Sequence, residues 1–186
     1  MTPTIIALTG KICSGKTTFA KYIQQKTGGN IFSFSTGVKK YAEILFETKE
    51  TGTYKNRKIY QRFAEKMKEI NPDIWVKMTI DSIKECAKNN DIFIIDDLRF
   101  PNEYNSLNKL QNEGYKVIFI RLFINYDLQK MRIKKLYENS AEHLERLDHV
   151  SEQYVNNFIV SYEIGSGYPI DEIKAFIDNI LIKENI

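Results

Sequence analysis

Two cysteines in 186 residues, Cys13 and Cys86, give no disulfide framework. A reduced, cytoplasmic setting is the default for such a chain. No apolar run approaches the ~20 residues that cross a bilayer, so no membrane partner is expected. The opening MTPTIIALTG has neither a positively charged start nor a cleavage site, and is not expected to act as a signal peptide. An excess of one charge is missing too. The 27 basic and 24 acidic residues leave a net charge of +3, too mild for the concentrated basic face of a nucleic-acid binder. Histidine is scarce, and no metal-ligand spacing surrounds His143 or His149. Internal repeats and low-complexity tracts are absent. Apolar residues are plentiful: at 42% they suffice for a real core and argue against wholesale disorder.

The length suits one domain. TIIALT at 4–9 reads as a buried strand followed by glycine. Residues 31–35, 91–96, 115–123 and 157–164 are further strand candidates, rich in Ile, Val and Phe. Helical patterns lie between them. Phe19, Ala20 and Ile23 turn one face of 16–27 inward, and Ile59, Phe63, Met67 and Ile70 form a second stripe. Val76, Ile80, Ile83 and Ala87 form a third, and Ile173, Ile177 and Ile180 a fourth within 170–186. Asn71, Pro72 and Asp73 separate the middle two helices, with Asn71 as a cap and Pro72 at the first helical position. Strands alternating with helices imply parallel β-α-β units and a three-layer α/β domain with a five-stranded parallel sheet. Two segments depart from that rhythm. About 55 mostly helical residues separate the second and third strands, and a polar stretch, roughly 124–154, carries Lys130, Arg132, Lys134, Lys135 and Arg146. Both read as insertions over the sheet edge, where lids lie.

GKICSGKT at 10–17 matches G-x-x-x-x-G-K-S/T at every fixed position. The chemistry explains the spacing. Glycines let the backbone curl until several N–H groups meet one phosphate, and the helix start adds its positive dipole end. A nucleotide-phosphate site is therefore expected at Gly10, Lys11, Ile12, Cys13, Ser14, Gly15, Lys16, Thr17 and Thr18. Lys16 is expected to reach the β/γ-phosphates and the Thr17 hydroxyl to ligate Mg²⁺. Cys13 is either a reactive thiol or a small filler.

IIDDLRFPNE at 94–103 supplies the second half of the site. An acid that ends a buried strand commonly completes a Mg²⁺ shell beside such a loop, and Asp96 is so assigned. Asp97 is left between orienting Arg99, touching an acceptor, sharing the metal and capping a turn. Arg99, near the strand's carboxyl end, suits a bidentate phosphate clamp. A GTPase is excluded because NKLQ at 108–111 lacks the aspartate of a base-reading motif and no Asp-x-x-Gly follows the acid strand. A large motor ATPase would need more chain. A small phosphotransferase remains.

DDLRFPNE (96–103), NPDIW (71–75) and HVSE (149–152) together resemble the deoxynucleoside monophosphate kinases of the bacteriophage type, and the likeness spans nearly the whole chain. It is supported by TGVKKYAEIL after the second strand, by RKIYQRFAEK and by FIVSYEI. Animal-type phosphomevalonate kinases are similar at a distance, through TYK at 53–55 and NPD. The chain lacks the G-x-P-G-x-G-K loop of adenylate kinases, and the Asp-Arg-Tyr or Asp-Arg-His of thymidylate kinases. The resemblance implies a single domain over 1–186, with a core at 1–35, 88–123 and 154–186, an acceptor-binding insertion at about 36–87 and a lid at about 124–153. It implies transfer of the γ-phosphate of ATP, with Mg²⁺, to a deoxynucleoside monophosphate. The partners are then small nucleotides, and a homodimer is the assembly to look for.

Lys16, Arg99 and Arg132 are the expected catalytic residues, with Arg132 and Arg146 closing from the lid like arginine fingers. Lys39, Arg57, Gln61, Trp75, Asp97, Arg99 and Glu103 are expected at the acceptor. Gln61 either reads a base edge or solvates its helix, and Trp75 either stacks on a base or fills the core. Glu103 either anchors its loop or meets the acceptor. His149 is a structural hydrogen-bonder or an adenine contact, and Ser151 and Glu152 shape the loop before the last strand. A phosphomevalonate kinase-like enzyme and a non-catalytic nucleotide-binding module are the alternatives.

Overall fold

β1 (Thr4–Thr9) is buried at all six positions, as a short Ile-rich run before a glycine requires. It is the central strand of a sheet that also contains β2 (Asn30–Phe32), β3 (Ile92–Leu98), β4 (Lys116–Phe123) and β5 (Tyr162–Gly165). All pairings are parallel, and the order is β2-β3-β1-β4-β5. These features come from a computed structural model that describes residues 2–46, 54–87, 91–137, 140, 144, 147 and 150–186, with the backbone alone at 54–57, 150 and 151.

Both faces of the sheet are covered, which is why its strands read as continuous apolar runs. Side chains alternate along β1. Ile6 and Leu8 join Ile94, Ile118 and Ile120 under α1 (Lys16–Thr27) and the C-terminal helix α8 (Ile170–Lys183). Ile5 and Ala7 join Phe93, Ile95 and Phe119 under α4 (Ile74–Cys86) and α5 (Pro101–Gln111). Burying one such isoleucine contributes ~2–3 kcal/mol, so the central strands anchor the loops at their carboxyl ends. Parallel α/β sheets bind ligands at those ends.

The long connection between β2 and β3 is helical, as expected: α2 (Ser35–Phe46), α3 (Tyr54–Ile70) and α4. Gly37 lets α2 approach α4 closely, since a Cβ there would lie 3.1 Å from both Trp75 and Met78. The connection between β4 and β5 contains α6 (Tyr126–Leu136) and a short α7 (Val150–Gln153), followed by a 3-10 turn at Tyr154–Asn156.

Several boundaries differ from expectation. β2 ends at Phe32 rather than residue 35, because Asp97 takes the Phe34 and Ser35 amides and starts α2. β3 runs on through Asp96 and Asp97 to Leu98, which pairs with Thr9 after a register shift. β5 starts at Tyr162 rather than residue 157. Phe158 instead enters the core, and the Arg121 guanidinium binds the Val155 and Phe158 carbonyls. Ile70, expected inward, is 80% exposed at the end of α3. Pro72 lies before α4 rather than in it. The helix starts at Ile74, and the Asn71 side chain accepts from the Asp73 amide inside the turn.

Candidate functional site

The phosphate loop joins β1 to α1. Gly10 has φ +143, and a Cβ there would lie 2.4 Å from the Leu122 carbonyl oxygen, so only glycine lets the loop leave the sheet this way. Gly15, at φ +96, precedes the first turn of α1. Cys13 also adopts a left-handed conformation, φ 62, at a cost of ~1 kcal/mol or more for a non-glycine residue. It lines the cleft. Lys16 is buried, and its ammonium donates to the Gly10 and Lys11 carbonyls at 2.6 and 2.8 Å. Burial, then the Arg99 charge, push its pKa down to about 7.

The loop meets the end of β3 because β1 and β3 are neighbours. The Thr17 hydroxyl donates to Asp96 Oδ2 at 3.1 Å. Burial, and then the charge of Asp97, raise the pKa of the Asp96 carboxyl against that hydrogen bond. Two hard oxygens side by side at the mouth of this loop fit Mg²⁺, which commonly keeps waters and substrate phosphates as its other ligands. Among the described residues there is no cluster of three or more His, Cys, Asp or Glu for an all-protein metal cage.

Asp97 points the other way. Its carboxylate accepts from the Phe34 amide at 2.9 Å, the Ser35 amide at 3.1 Å and the Ser33 hydroxyl, so it caps the start of α2. Glu103 is buried, and its Oε2 accepts from the Arg99 and Phe100 amides at 2.7 and 2.9 Å. It fixes the turn that carries Arg99, with Pro101 in the first turn of α5. Burial and the Asp97 charge push its carboxyl up to about 8, against those two amide bonds. The Arg99 guanidinium pairs with Glu152, whose other oxygen accepts the Ile12 amide at 2.7 Å. The sequence named Glu152 only as a loop-shaping residue; its side chain bridges the phosphate loop and Arg99.

Two cavities share this junction. The larger, about 880 Å³, is lined by the loop, Asp96, Arg132, Lys135 and the apolar pair Tyr168 and Ile170. The smaller, about 560 Å³, lies toward α2–α4 and is lined by Tyr60, Gln61, Trp75, Lys68, Phe100 and Glu103. Ile12, Ser35, Lys39, Asp97 and Arg99 line both. Lys16, Thr17, Asp96, Lys39, Arg99 and Arg132 therefore converge on the larger cavity, while Gln61, Trp75 and Glu103 surround the smaller. Trp75 serves the core as well: it is 4% exposed, packs on Phe63 at 5.6 Å between centroids, and donates Nε1–H to the Ala64 carbonyl at 3.3 Å. Gln61 is exposed at the cavity mouth. Arg132 lies against the loop, donating to the Cys13 carbonyl at 3.1 Å and the Ser166 carbonyl at 2.7 Å. The Arg57 side chain, Arg146 and His149 lie outside the described residues, as do His143 and the side chain of Ser151.

Gln129 and Ser166 also touch the loop and carry no sequence signal. Each is a lone polar residue more than a hundred positions from its partner carbonyl.

No protein-family model matches the sequence, and no curated protein does. Solved structures do match. A shikimate kinase from Bacteroides thetaiotaomicron is 14% identical, with 98% of this chain and 99% of that chain covered and a TM-score of 0.56. A sugar kinase from Janibacter sp. HTCC2649 is 16% identical, with 100% and 96% covered and a TM-score of 0.59. TT1252 from Thermus thermophilus is 13% identical, with 98% of each chain covered and a TM-score of 0.61. At these identities the likeness is one of fold: the described residues have the α/β fold of P-loop kinases.

Proposed function

We propose that the protein transfers the γ-phosphate of ATP to a deoxynucleoside monophosphate, giving ADP and a deoxynucleoside diphosphate. The observation that carries the reading is the pair of cavities joined at Lys39, Asp97 and Arg99, one built on the phosphate loop and one walled by aromatic residues. A transferring phosphate must touch both substrates, and cations shared by two cavities suit that position.

The acceptor phosphate is its own nucleophile. One of its oxygens bonds to the γ-phosphorus while the bond to the leaving ADP oxygen breaks, so no strong base is required. The task of the protein is to position two polyanions and neutralise them. Lys16 serves the donor. Arg99 and Lys39 face the junction and serve the acceptor phosphate and the transferring group. Arg132 is assigned to the donor side, supported by its contact with the Cys13 carbonyl. Mg²⁺, on Thr17 and Asp96, would supply charge neutralisation on the donor phosphates. Helices α2–α4 are read as the acceptor-binding insertion. Tyr60, Trp75 and Phe100 in their cavity favour a flat base over a small aliphatic acceptor. The polar segment at about 124–153 is read as the lid.

The test is ADP release over a panel of acceptors. The reading requires turnover that depends on ATP, Mg²⁺ and a deoxynucleoside monophosphate. Turnover with phosphomevalonate alone would support the distant resemblance instead. ATP binding without turnover on any acceptor would make the protein a nucleotide-binding module.

A further inference from the structure

Five successive carbonyls of the phosphate loop, those of residues 10–14, are each held by a side-chain donor. Lys16 takes Gly10 and Lys11 at 2.6 and 2.8 Å, and Arg132 takes Cys13 at 3.1 Å. Gln129 Nε2 donates to the Ile12 carbonyl at 3.1 Å, and the Ser166 hydroxyl to the Ser14 carbonyl at 2.8 Å. Gln129 and Ser166 are each 1% exposed. They arrive from different elements, Gln129 from α6 and Ser166 from the turn after β5. Ser166 is itself fixed twice, through its amide on the Phe123 carbonyl at 2.7 Å and its carbonyl on Arg132.

A peptide unit is planar, and its C=O and N–H point in opposite directions. Holding the Ile12, Cys13 and Ser14 carbonyls against α6 and the β5 turn therefore directs the amides of Cys13, Ser14 and Gly15 away from them. The Ser14 amide is kept inside the loop, donating to the Lys11 carbonyl at 3.2 Å. A phosphate cradle is built from loop amides, and one flipped peptide would present it with a carbonyl oxygen instead. We infer that Gln129 and Ser166 are positioning residues that preorganise the phosphate loop, so that donor affinity depends on α6 and the β5 turn as well as on the loop itself. The inference rests on the reading of this loop as the donor-phosphate site.

The residue chemistry allows a sharp test. Glutamine and glutamate have the same shape, but a carboxylate cannot donate to a carbonyl. A volume-filling Gln129 would be rescued in Gln129→Glu, whereas a donating one would be replaced by repulsion. Mg·ADP binding is measured by calorimetry on wild type, Gln129→Ala, Gln129→Glu and Ser166→Ala, with the thermal midpoint of each as a folding control. The expected result is about tenfold weaker binding in Gln129→Ala and Ser166→Ala, and a larger loss in Gln129→Glu. Acceptor KM should stay within about twofold of wild type, since neither residue lines the smaller cavity. Should Gln129→Glu unfold, Ser166→Ala alone decides. Near-wild-type ADP affinity in the folded variants overturns the inference and leaves the donor-site reading intact. Failure of the wild type to bind ADP overturns the donor-site reading first.

Discussion

One carboxylate ties the phosphate loop to Arg99: Glu152 Oε2 accepts the Ile12 amide at 2.7 Å, and Oε1 pairs with the Arg99 guanidinium. The two partners are unequally buried, with side chains 26% exposed for Arg99 and 5% for Glu152. Removing the arginine strands a buried charge, whereas removing the glutamate releases an arginine that the cleft can hydrate. Arg99→Ala is therefore expected to lose ~3 kcal/mol of stability, and Glu152→Ala ~1–2 kcal/mol. Denaturant unfolding of both variants checks the order. The reverse order would mean that the Ile12 amide alone satisfies Glu152.

Asp97 caps α2 through two amides and the Ser33 hydroxyl. Asp97→Ala orphans these donors and is expected to destabilise by ~2 kcal/mol. Asp97→Asn keeps one acceptor oxygen and should retain about half of that. If Asp97 also meets the acceptor, as the sequence reading allows, the Asn variant will raise acceptor KM beyond what its stability explains. Urea titration and steady-state kinetics on the same preparations separate the two roles.

On the proposed function, Lys16 would link phosphate binding to pH. Its pKa is about 7 in the folded chain against 10.5 for an ordinary lysine. The folded state therefore binds fewer protons than the unfolded one between these values, and stability rises with pH across that window. The penalty is fully present below pH 7. Phosphate favours the charged ammonium, so ADP binding at pH 8 should be accompanied by proton uptake. Calorimetry in buffers of different ionisation enthalpy reads that uptake directly. Zero uptake would show that Lys16 is already charged at pH 8. Lys16→Ala should abolish most turnover.

Trp75 is the only tryptophan, and it lines the smaller cavity but not the larger. Its fluorescence should respond to the acceptor nucleotide and remain nearly constant with Mg·ADP. A response to ADP alone would mean that the two cavities are coupled through α4. Trp75→Ala, in the core beside Phe63, should cost ~3–5 kcal/mol.

The parts legible in the sequence are those set by local rules. The phosphate loop is a spacing of glycines, a lysine and a threonine, and α1 and α8 follow from one apolar face each. Asp96 was legible as the acid at the end of an apolar run. Long-range hydrogen bonds were not. Asp97 reaches 62–64 residues back to the start of α2, which shortens β2, and Arg121 reaches 34–37 residues forward, which unmakes the first half of the expected β5. Ile70 kept helical spacing yet is 80% exposed at the last position of α3. Gln129 and Ser166 act from isolated positions, which no periodicity marks. Arg132 was expected to close from the lid like an arginine finger; its docking on the Cys13 carbonyl depends on how α6 meets the loop, which no local pattern marks.

The most direct measurement is the product itself. The protein, ATP and Mg²⁺ are incubated with each deoxynucleoside monophosphate in turn, and nucleotides are resolved by ion-exchange chromatography. The expected product is a new deoxynucleoside diphosphate with at least one base, formed one-for-one with ADP and strongly reduced in Arg99→Ala. ADP formed without any deoxynucleoside diphosphate, or no ADP with any of these acceptors, would contradict the proposed function.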